Sequence, residues 1–570
     1  MVGCACGDPA QQSWFLGFVP WAISHGHNPF FTNYVDFPRG INLAASTFMP
    51  LLGVIFYPLT IFLGATSTYS FLMWLAFPLS AISAGFVARQ LTKSNIGSGI
   101  AGLLYGFSPY EFHEAFGHLN LLFVPLPPLI IYVSYNLLIR QSGRPERWGL
   151  LLGALISGQF LISSEIAATT TVVVAIGATV WTSVNWRLVN VQRLQYILRS
   201  LFSALALSFI ILCVPIWYQL FGRERIIAPA QGGIGNPYRT NLWGAVYPTS
   251  QTLFGPTSLK TVADHFTNGD VSENGSYLGI PLIATFIAFG AYYFRSGWVR
   301  LVGFLAVTCW ILSLGPWLAV GLHTTSLRLP FWFLTQLPLL NNILPNRLSL
   351  YVMFFVSLTL AIGLGNVVED YLQNHGGGNA PSRYSRLVAC CFGLLVLASI
   401  VSLFPVLPIP TQSTIQTVPK FFSSASAGDI SDGSVLLTYP YIYPNDDQAL
   451  LWQLSSGFKW RVMGGYFVVP FPKSGSVYDG PWPTPPQQVT NYLVYWEFRD
   501  DPRIKRPNVP APTLDRALID DTRLFVRHYQ IGGVVVSLLA PNANRAIALF
   551  TNAFGRPRKQ GGADVWLHIV

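Results

Sequence analysis

Apolar stretches near the ~20 residues needed to cross a bilayer recur from Ser67 to Phe404 and stop after Pro410. The recurrence makes lipid the solvent for most of the chain, since a helix satisfies its own backbone polar groups in hydrocarbon. Composition agrees: 51% of the 570 residues are hydrophobic and 10% are charged, more apolar than a soluble core of this length requires. About ten spans follow: Thr68–Arg89, Ile96–Pro109, Leu119–Ile139, Trp148–Ser163, Ile166–Val184, Leu198–Leu220, Tyr277–Phe294, Val299–Val320, Leu348–Val367 and Leu387–Phe404. The second is short, and its Gly97, Gly99, Gly102 and Gly106 predict close helix packing instead of a lipid-facing surface.

Cations gather in alternate loops: Arg89 and Lys93; Arg140, Arg144 and Arg147; Arg187, Arg193 and Arg199; Arg295 and Arg300; Arg383 and Arg386. The positive-inside rule makes those loops cytoplasmic and the opposite ones extracytoplasmic. Both visible termini then lie outside, yet Met1–Gly7 contains no signal sequence. The expectation is a true start upstream, with a transmembrane helix preceding Met1. Taking Phe48–Gly64 as the first span would invert the order and contradict the arginines. The expected organisation is an outer segment over 1–65, a transmembrane domain over 66–410 with a long outer loop over 221–276, and an extracytoplasmic domain over 411–570. Much of the net charge of +10 sits in inner loops, where anionic headgroups account for it. Membrane lipids are therefore expected partners and nucleic acid is not. Cys213, Cys309, Cys390 and Cys391 fall within spans and residues 411–570 contain no cysteine, which leaves no disulfide framework or cysteine zinc site there.

Asp8–Phe62 is too polar for a span and too apolar for an ordinary loop, so it is expected to lie in the membrane interface. Trp14, Phe15, Phe18, Trp21 and Ile23 would anchor a helix over Gln11–Ser24, and Phe48–Gly64, broken by Pro50 and Pro58, would lie along the outer leaflet. Asp8-Pro9 is a helix start with proline at the first helical position.

Gly106–Asn120 packs Glu111, His113, Glu114 and His118 into one outer turn. On a helix, Glu111, Glu114 and His118 would share a face and His113 would point elsewhere. That face could bind a phosphorylated sugar or a divalent metal ion, manganese or zinc more readily than calcium; the alternative is a solvated polar loop. His118 and Asn120 stand at the mouth of the next span, where polar groups usually serve a site. Glu165 opens another span, where it could bind substrate hydroxyls, pair with an arginine, or complement the helix dipole. Arg347 is a fixed cation at the edge of the Leu348 span, suited to a lipid-linked phosphate, with headgroup snorkelling as the alternative. The Arg223–Ser276 loop carries Asp264, Asp270 and Glu273 with Tyr238, Trp243 and Tyr247, and could cover an acceptor.

The runs Gly7–Leu16, His25–Phe30 and Pro38–Leu43, with Tyr105–Asn120 and the start of the Leu348 span, resemble bacterial class C (GT-C) polytopic membrane glycosyltransferases. The resemblance implies a polyprenyl-phosphate sugar as donor, an extracytoplasmic site and an outer-loop carboxylate acting as base or as metal or acceptor ligand. By position that carboxylate is Asp8, with Glu111, His118, Asn120, Glu165 and Arg347 as candidate donor or acceptor ligands, and Glu111, Glu114 and His118 as candidate metal ligands. The absent first helix is the departure from the family pattern. One carboxylate suits such chemistry, because a glycosyl phosphate already contains a good leaving group and the acceptor hydroxyl need only be deprotonated.

Beyond Thr411, short β-like runs at Ser434–Thr438, Gly532–Ser537 and Val565–Val570, with a helix over Asn542–Phe554, predict an α/β domain of roughly 150 residues. Asp446, Asp447, Trp452, Tyr466, Trp482, Tyr492 and Trp496 could form a carbohydrate surface or simply a β-rich core. No Walker loop, dinucleotide fingerprint, zinc-protease helix or nucleophile elbow occurs. The expected fold is thus an α-helical polytopic membrane protein of about 10–11 spans with juxtamembrane helices and a C-terminal α/β domain. The expected activity is sugar transfer to an envelope glycan, lipid or protein at the plasma membrane. The alternatives are a flippase of lipid-linked glycans, disfavoured because the spans have almost no midplane charge, and a non-catalytic assembly protein.

Overall fold

The computed structural model describes residues 1–4, 7–92, 94–226, 238–337, 340–373, 383–407, 413, 417–444, 446–470, 477–501 and 510–569. Lys93, Pro410, Thr411, Val570 and part of the 221–276 loop, all used above, lie outside them. The chain divides into two compact units, one of Met1–Ser70, Val214–Ala230 and Ser413–Val570, the other of Phe71–Cys213 and Gln231–Gln412.

Each apolar run is helical. Five segments are long and apolar enough to cross a membrane: Ala65–Thr92, Leu119–Arg140, Ser164–Val184, Val191–Phe221 and Pro345–Glu369. Ile280–Tyr292, Gly297–Ser313 and Arg386–Ser402 are shorter apolar helices. Pro345–Glu369 is the core of the membrane unit, with 89% of its most apolar window buried; it packs on Asn95–Gly106 and Gly297–Ser313. A Cβ on Gly97 would stand 2.7 Å from the Ala361 carbonyl oxygen, and one on Gly102 would stand 2.6 Å from that of Ala81. Gly97 and Gly102 therefore permit backbone-to-backbone approach, as small residues do between membrane helices, whereas a Cβ on Gly99 would meet nothing within 4 Å.

Two runs end differently from expectation. The helix beginning at Gly297 stops at Ser313, because Gly315 adopts φ +81° and Pro316 follows, and an antiparallel hairpin of Trp317–Val320 with His323–Arg328 takes over. Leu119–Arg140 is interrupted by Pro125, and consists of Leu119–Leu122, Leu126–Tyr135 and a wide final turn, Asn136–Arg140.

The other unit contains a five-stranded sheet: β1 (Val435–Tyr439), β2 (Arg461–Val462), β3 (Ile531–Ser537), β4 (Arg558–Gln560) and β5 (Ala563–Leu567), in the order β4-β5-β3-β1-β2. β1 runs parallel to β2 and β3, whereas β5 is antiparallel to β3 and β4. The central β1 is buried along its whole length and β3 along nearly all of it, which explains why both read as continuous apolar runs without alternation. Phe525, Val534, Leu549, Phe550 and Trp566 fill its core. Trp452, Trp482, Tyr492 and Trp496 are buried as well, so they belong to the core and not to a carbohydrate surface.

The helix Asp8–Ser24 corrects the interfacial reading of its residues. Trp14, Leu16, Phe18 and Ala22 are wholly buried; Trp14 stacks on Phe18 at 4.4 Å, meets Phe458 and Phe467 edge-on, and donates Nε1–H to Gln453 Oε1 at 2.7 Å. A helix apolar on all sides belongs inside a core. The segments Pro50–Ile55 and Tyr57–Leu63 do keep Val54, Ile55, Ile61 and Phe62 exposed, as an interfacial segment should.

Candidate functional site

In the membrane unit, the polar residues of four separate segments converge on Arg347. Its Nη1 donates to Glu114 Oε1 and Glu273 Oε2, both at 2.6 Å, and its Nη2 donates to Glu273 Oε1 at 2.7 Å. Nε reaches Glu165 Oε2 at 3.4 Å, and Glu165 Oε1 accepts the Leu344 amide at 2.8 Å. Asn346 Nδ2 donates to Glu273 Oε2 at 2.6 Å, and His118 Nδ1 donates to Glu114 Oε2 at 2.8 Å. Arg347, Glu114 and Glu273 are almost completely buried.

Local sequence explains how these groups are presented. Pro345 starts the turn that carries Asn346 and Arg347 into the long span, Ser108 caps the short helix Pro109–Glu114, and Ser163 caps the helix that begins with Glu165. Burial raises the Glu114 carboxyl above its ordinary range, and Arg347 and His118 only partly offset it. Burial acts on Glu273 too, but Arg347, His118 and the hydrogen bonds of Arg347 and Asn346 outweigh it and hold that carboxyl below the usual range. Glu273 is thus the two-pronged counter-ion of Arg347, and the Glu114 carboxylate is shared between Arg347 and His118.

Four of the sequence candidates, Glu114, His118, Glu165 and Arg347, are therefore brought together. Two others are placed differently. Glu111 lies on the same short helix but is fully buried with neither carboxyl oxygen hydrogen-bonded; burial, with the Glu114 charge adding to it, pushes its pKa well above the usual range although Ser80 opposes the shift. Asn120 is buried in the short helix Leu119–Leu122. The continuous helix expected to align Glu111, Glu114 and His118 ends at Glu114. Among the described residues no group of three His, Cys, Asp or Glu side chains could hold a metal ion, and the Glu114 carboxylate is engaged by Arg347 and His118, so the residues present do not fit the metal reading.

Three carboxylates, those of Glu114, Glu165 and Glu273, engage the Arg347 guanidinium, so Glu165 takes the arginine pairing that was one of its alternatives. His113 is a structural residue: its Nδ1 donates to the Val271 carbonyl and its Nε2 accepts from Thr249 Oγ1 at 3.0 Å, and burial lowers its pKa to about 4. Sequence reasoning missed Glu273 as a ligand. It was one acid among several in a loop without a motif, and only its 74-residue separation from Arg347, closed by the fold, distinguishes it.

Asp8 belongs to the other unit, as the first residue of the helix Asp8–Ser24. The Tyr466 hydroxyl donates to Asp8 Oδ1 at 3.1 Å, and Gln11 Nε2 donates to the Tyr466 carbonyl. Asp447 is buried in front of the helix Gln448–Ser455, which packs on the Asp8 helix. Burial, then the charges of Asp446 and Asp8, push the Asp447 carboxyl well above its usual range, and its Oδ2 has no hydrogen-bond partner.

Among solved structures, arabinofuranosyltransferase AftD from Mycobacteria shares 14% identity at TM-score 0.51, over 98% of this chain and 39% of that one. ArnT from Cupriavidus metallidurans, bound to undecaprenyl phosphate, shares 11% at TM-score 0.45, over 99% of this chain and 93% of that one. The oligosaccharyltransferase AglB from Archaeoglobus fulgidus shares 13% at TM-score 0.41, over 97% and 68%. No curated protein matches the chain. The similarity to the arabinofuranosyltransferase, a protein of which this chain spans well under half, is one of fold alone. A family model described as a domain of unknown function, DUF6311, matches residues 3–345, and the chain belongs to that family.

Proposed function

We propose that the protein is a membrane glycosyltransferase that moves a sugar from a polyprenyl phosphate to an envelope glycan, lipid or protein at the extracytoplasmic face of the plasma membrane. Asp8 is the general base for the acceptor hydroxyl. The observation that carries the reading is the setting of Asp8: a carboxylate at the start of a buried helix, oriented by the Tyr466 hydroxyl. The leaving group is a phosphate in every member of this donor class, so the protein supplies orientation, acceptor deprotonation and charge stabilisation. The fold shared with an arabinofuranosyltransferase supports the reaction class. Arginines in alternate loops support the assignment of sides, with 1–65 as an outer segment, 66–410 as the transmembrane domain and 411–570 as an outer domain. In the membrane unit, Glu114, His118, Glu165 and Arg347 order the outer ends of the spans, with the Glu114–His118 pair as the part able to exchange a proton with substrate.

The test supplies radiolabelled polyprenyl-phosphate sugars to membranes containing the wild type, Asp8→Asn or Tyr466→Phe. Asp8→Asn is expected to abolish transfer at unchanged protein level. Transfer by Asp8→Asn at the wild-type rate would remove Asp8 from the mechanism.

A further inference from the structure

Two cavities in the membrane unit share Trp298 and Leu301 as a common wall. The smaller one, of about 90 Å³, lies among Leu119–Arg140, Ser164–Val184 and Gly297–Ser313 and is lined almost entirely by apolar side chains, including Val173, Gly177 and Leu305. Ser134 also lines it; that residue is buried and its hydroxyl has no hydrogen-bond partner. The larger cavity, of about 680 Å³, is bordered by Trp181, Asn185 and Arg300. Arg193 stands 5.5 Å over the Trp181 ring and donates Nη1–H to the carbonyl of Ile139 at 3.2 Å, and Ile139 in turn lines the smaller cavity.

The order of groups along this path matches the profile of one lipid leaflet. Tryptophans mark the interfacial level, arginines beside them form a cationic mouth, and an apolar slot runs inward between helices. Ser134 precedes Arg140 on the same helical segment, inward of its wide final turn Asn136–Arg140, the side of the headgroup region where glycerol esters reside. A buried hydroxyl without a partner calls for an acceptor, which an ester carbonyl provides and a hydrocarbon chain does not.

We propose that these adjoining cavities, on either side of Trp298 and Leu301, bind one anionic glycerophospholipid, with an acyl chain in the apolar slot, an ester carbonyl accepting from Ser134, and the phosphate held between Arg193 and Arg300. The site rests on the membrane unit alone and is independent of the proposed sugar transfer.

The test places the full chain in nanodiscs of phosphatidylcholine containing a minor fraction of phosphatidylglycerol, re-extracts it in mild detergent and quantifies co-purified lipid by mass spectrometry. Two arginines at the headgroup set an expected phosphatidylglycerol enrichment of about tenfold over its bulk fraction, approaching one molecule per chain. The double variant Arg193→Gln with Arg300→Gln is expected to lose it. Gly177→Leu, which fills the slot and leaves both arginines in place, is expected to lose it as well, and Ser134→Val to weaken it in a protein with the charged mouth intact. Equal recovery of the two lipids by the wild type, full enrichment in the double arginine variant, or displacement of phosphatidylglycerol by an equal mole fraction of polyprenyl phosphate would each overturn the proposal.

Discussion

Arg347 and Glu273 form a two-pronged buried ion pair, with Nη1 to Oε2 at 2.6 Å and Nη2 to Oε1 at 2.7 Å. Lysine cannot reproduce this planar fork. Arg347→Lys and Glu273→Gln are each expected to destabilise the membrane unit, by about 3–5 kcal/mol where the partner is left buried and unpaired. Thermal melting in detergent would show it as a clear loss of Tm. A double variant pairing Arg347→Met with Glu273→Gln should cost less than the sum of the two single changes. Simple additivity would show the pair to be energetically uncoupled.

The Glu114–His118 contact should titrate. His118 is one of the groups that pull the Glu114 pKa down against burial, so His118→Gln is expected to raise it further. Infrared difference titration of the carboxyl carbonyl band measures the shift; a fall or no change would contradict the assigned hydrogen bond.

His113 predicts a pH dependence of stability. Burial lowers its pKa from 6.5 to about 4, so between those values the unfolded chain binds the proton and the folded chain does not. The neutral ring therefore contributes fully above about pH 6.5, and its contribution falls as pH drops toward 4, by up to about 3 kcal/mol. Replacement by Gln should flatten the Tm profile within that window and leave the slope outside it unchanged.

Tyr466 orients Asp8 through one hydrogen bond. Removing the hydroxyl in Tyr466→Phe is expected to lower turnover by about 3- to 10-fold, the equivalent of one such bond, with KM unchanged. A change in KM with no change in turnover would make Tyr466 a packing residue.

Gly97 and Gly102 allow backbone contact with Ala361 and Ala81. Gly97→Leu should cost about 1–3 kcal/mol or more, because overpacking forces the helices apart, and would appear as a lowered Tm and a broadened melt.

Much of the architecture was legible because lipid and β-sheets impose patterns that are local in sequence. Each apolar run became a helix, and the runs at Ser434, Gly532 and Val565 became strands of one sheet, since backbone satisfaction in hydrocarbon and burial of a sheet are written residue by residue. Glu114, His118, Glu165 and Arg347 were visible as polar groups at span ends, because charge there is rare enough to stand out. What remained hidden depended on distance along the chain. Whether Trp14 and Phe18 met lipid or core was decided by Gln453, Phe458 and Phe467, and whether Arg347 stood open to a phosphate was decided by Glu273. An apolar stripe or a lone charge specifies only that it needs a partner. The sequence alone determined those needs, whereas the tertiary structure chose the partners, because bringing together residues tens to hundreds of positions apart depends on the packing of the whole unit.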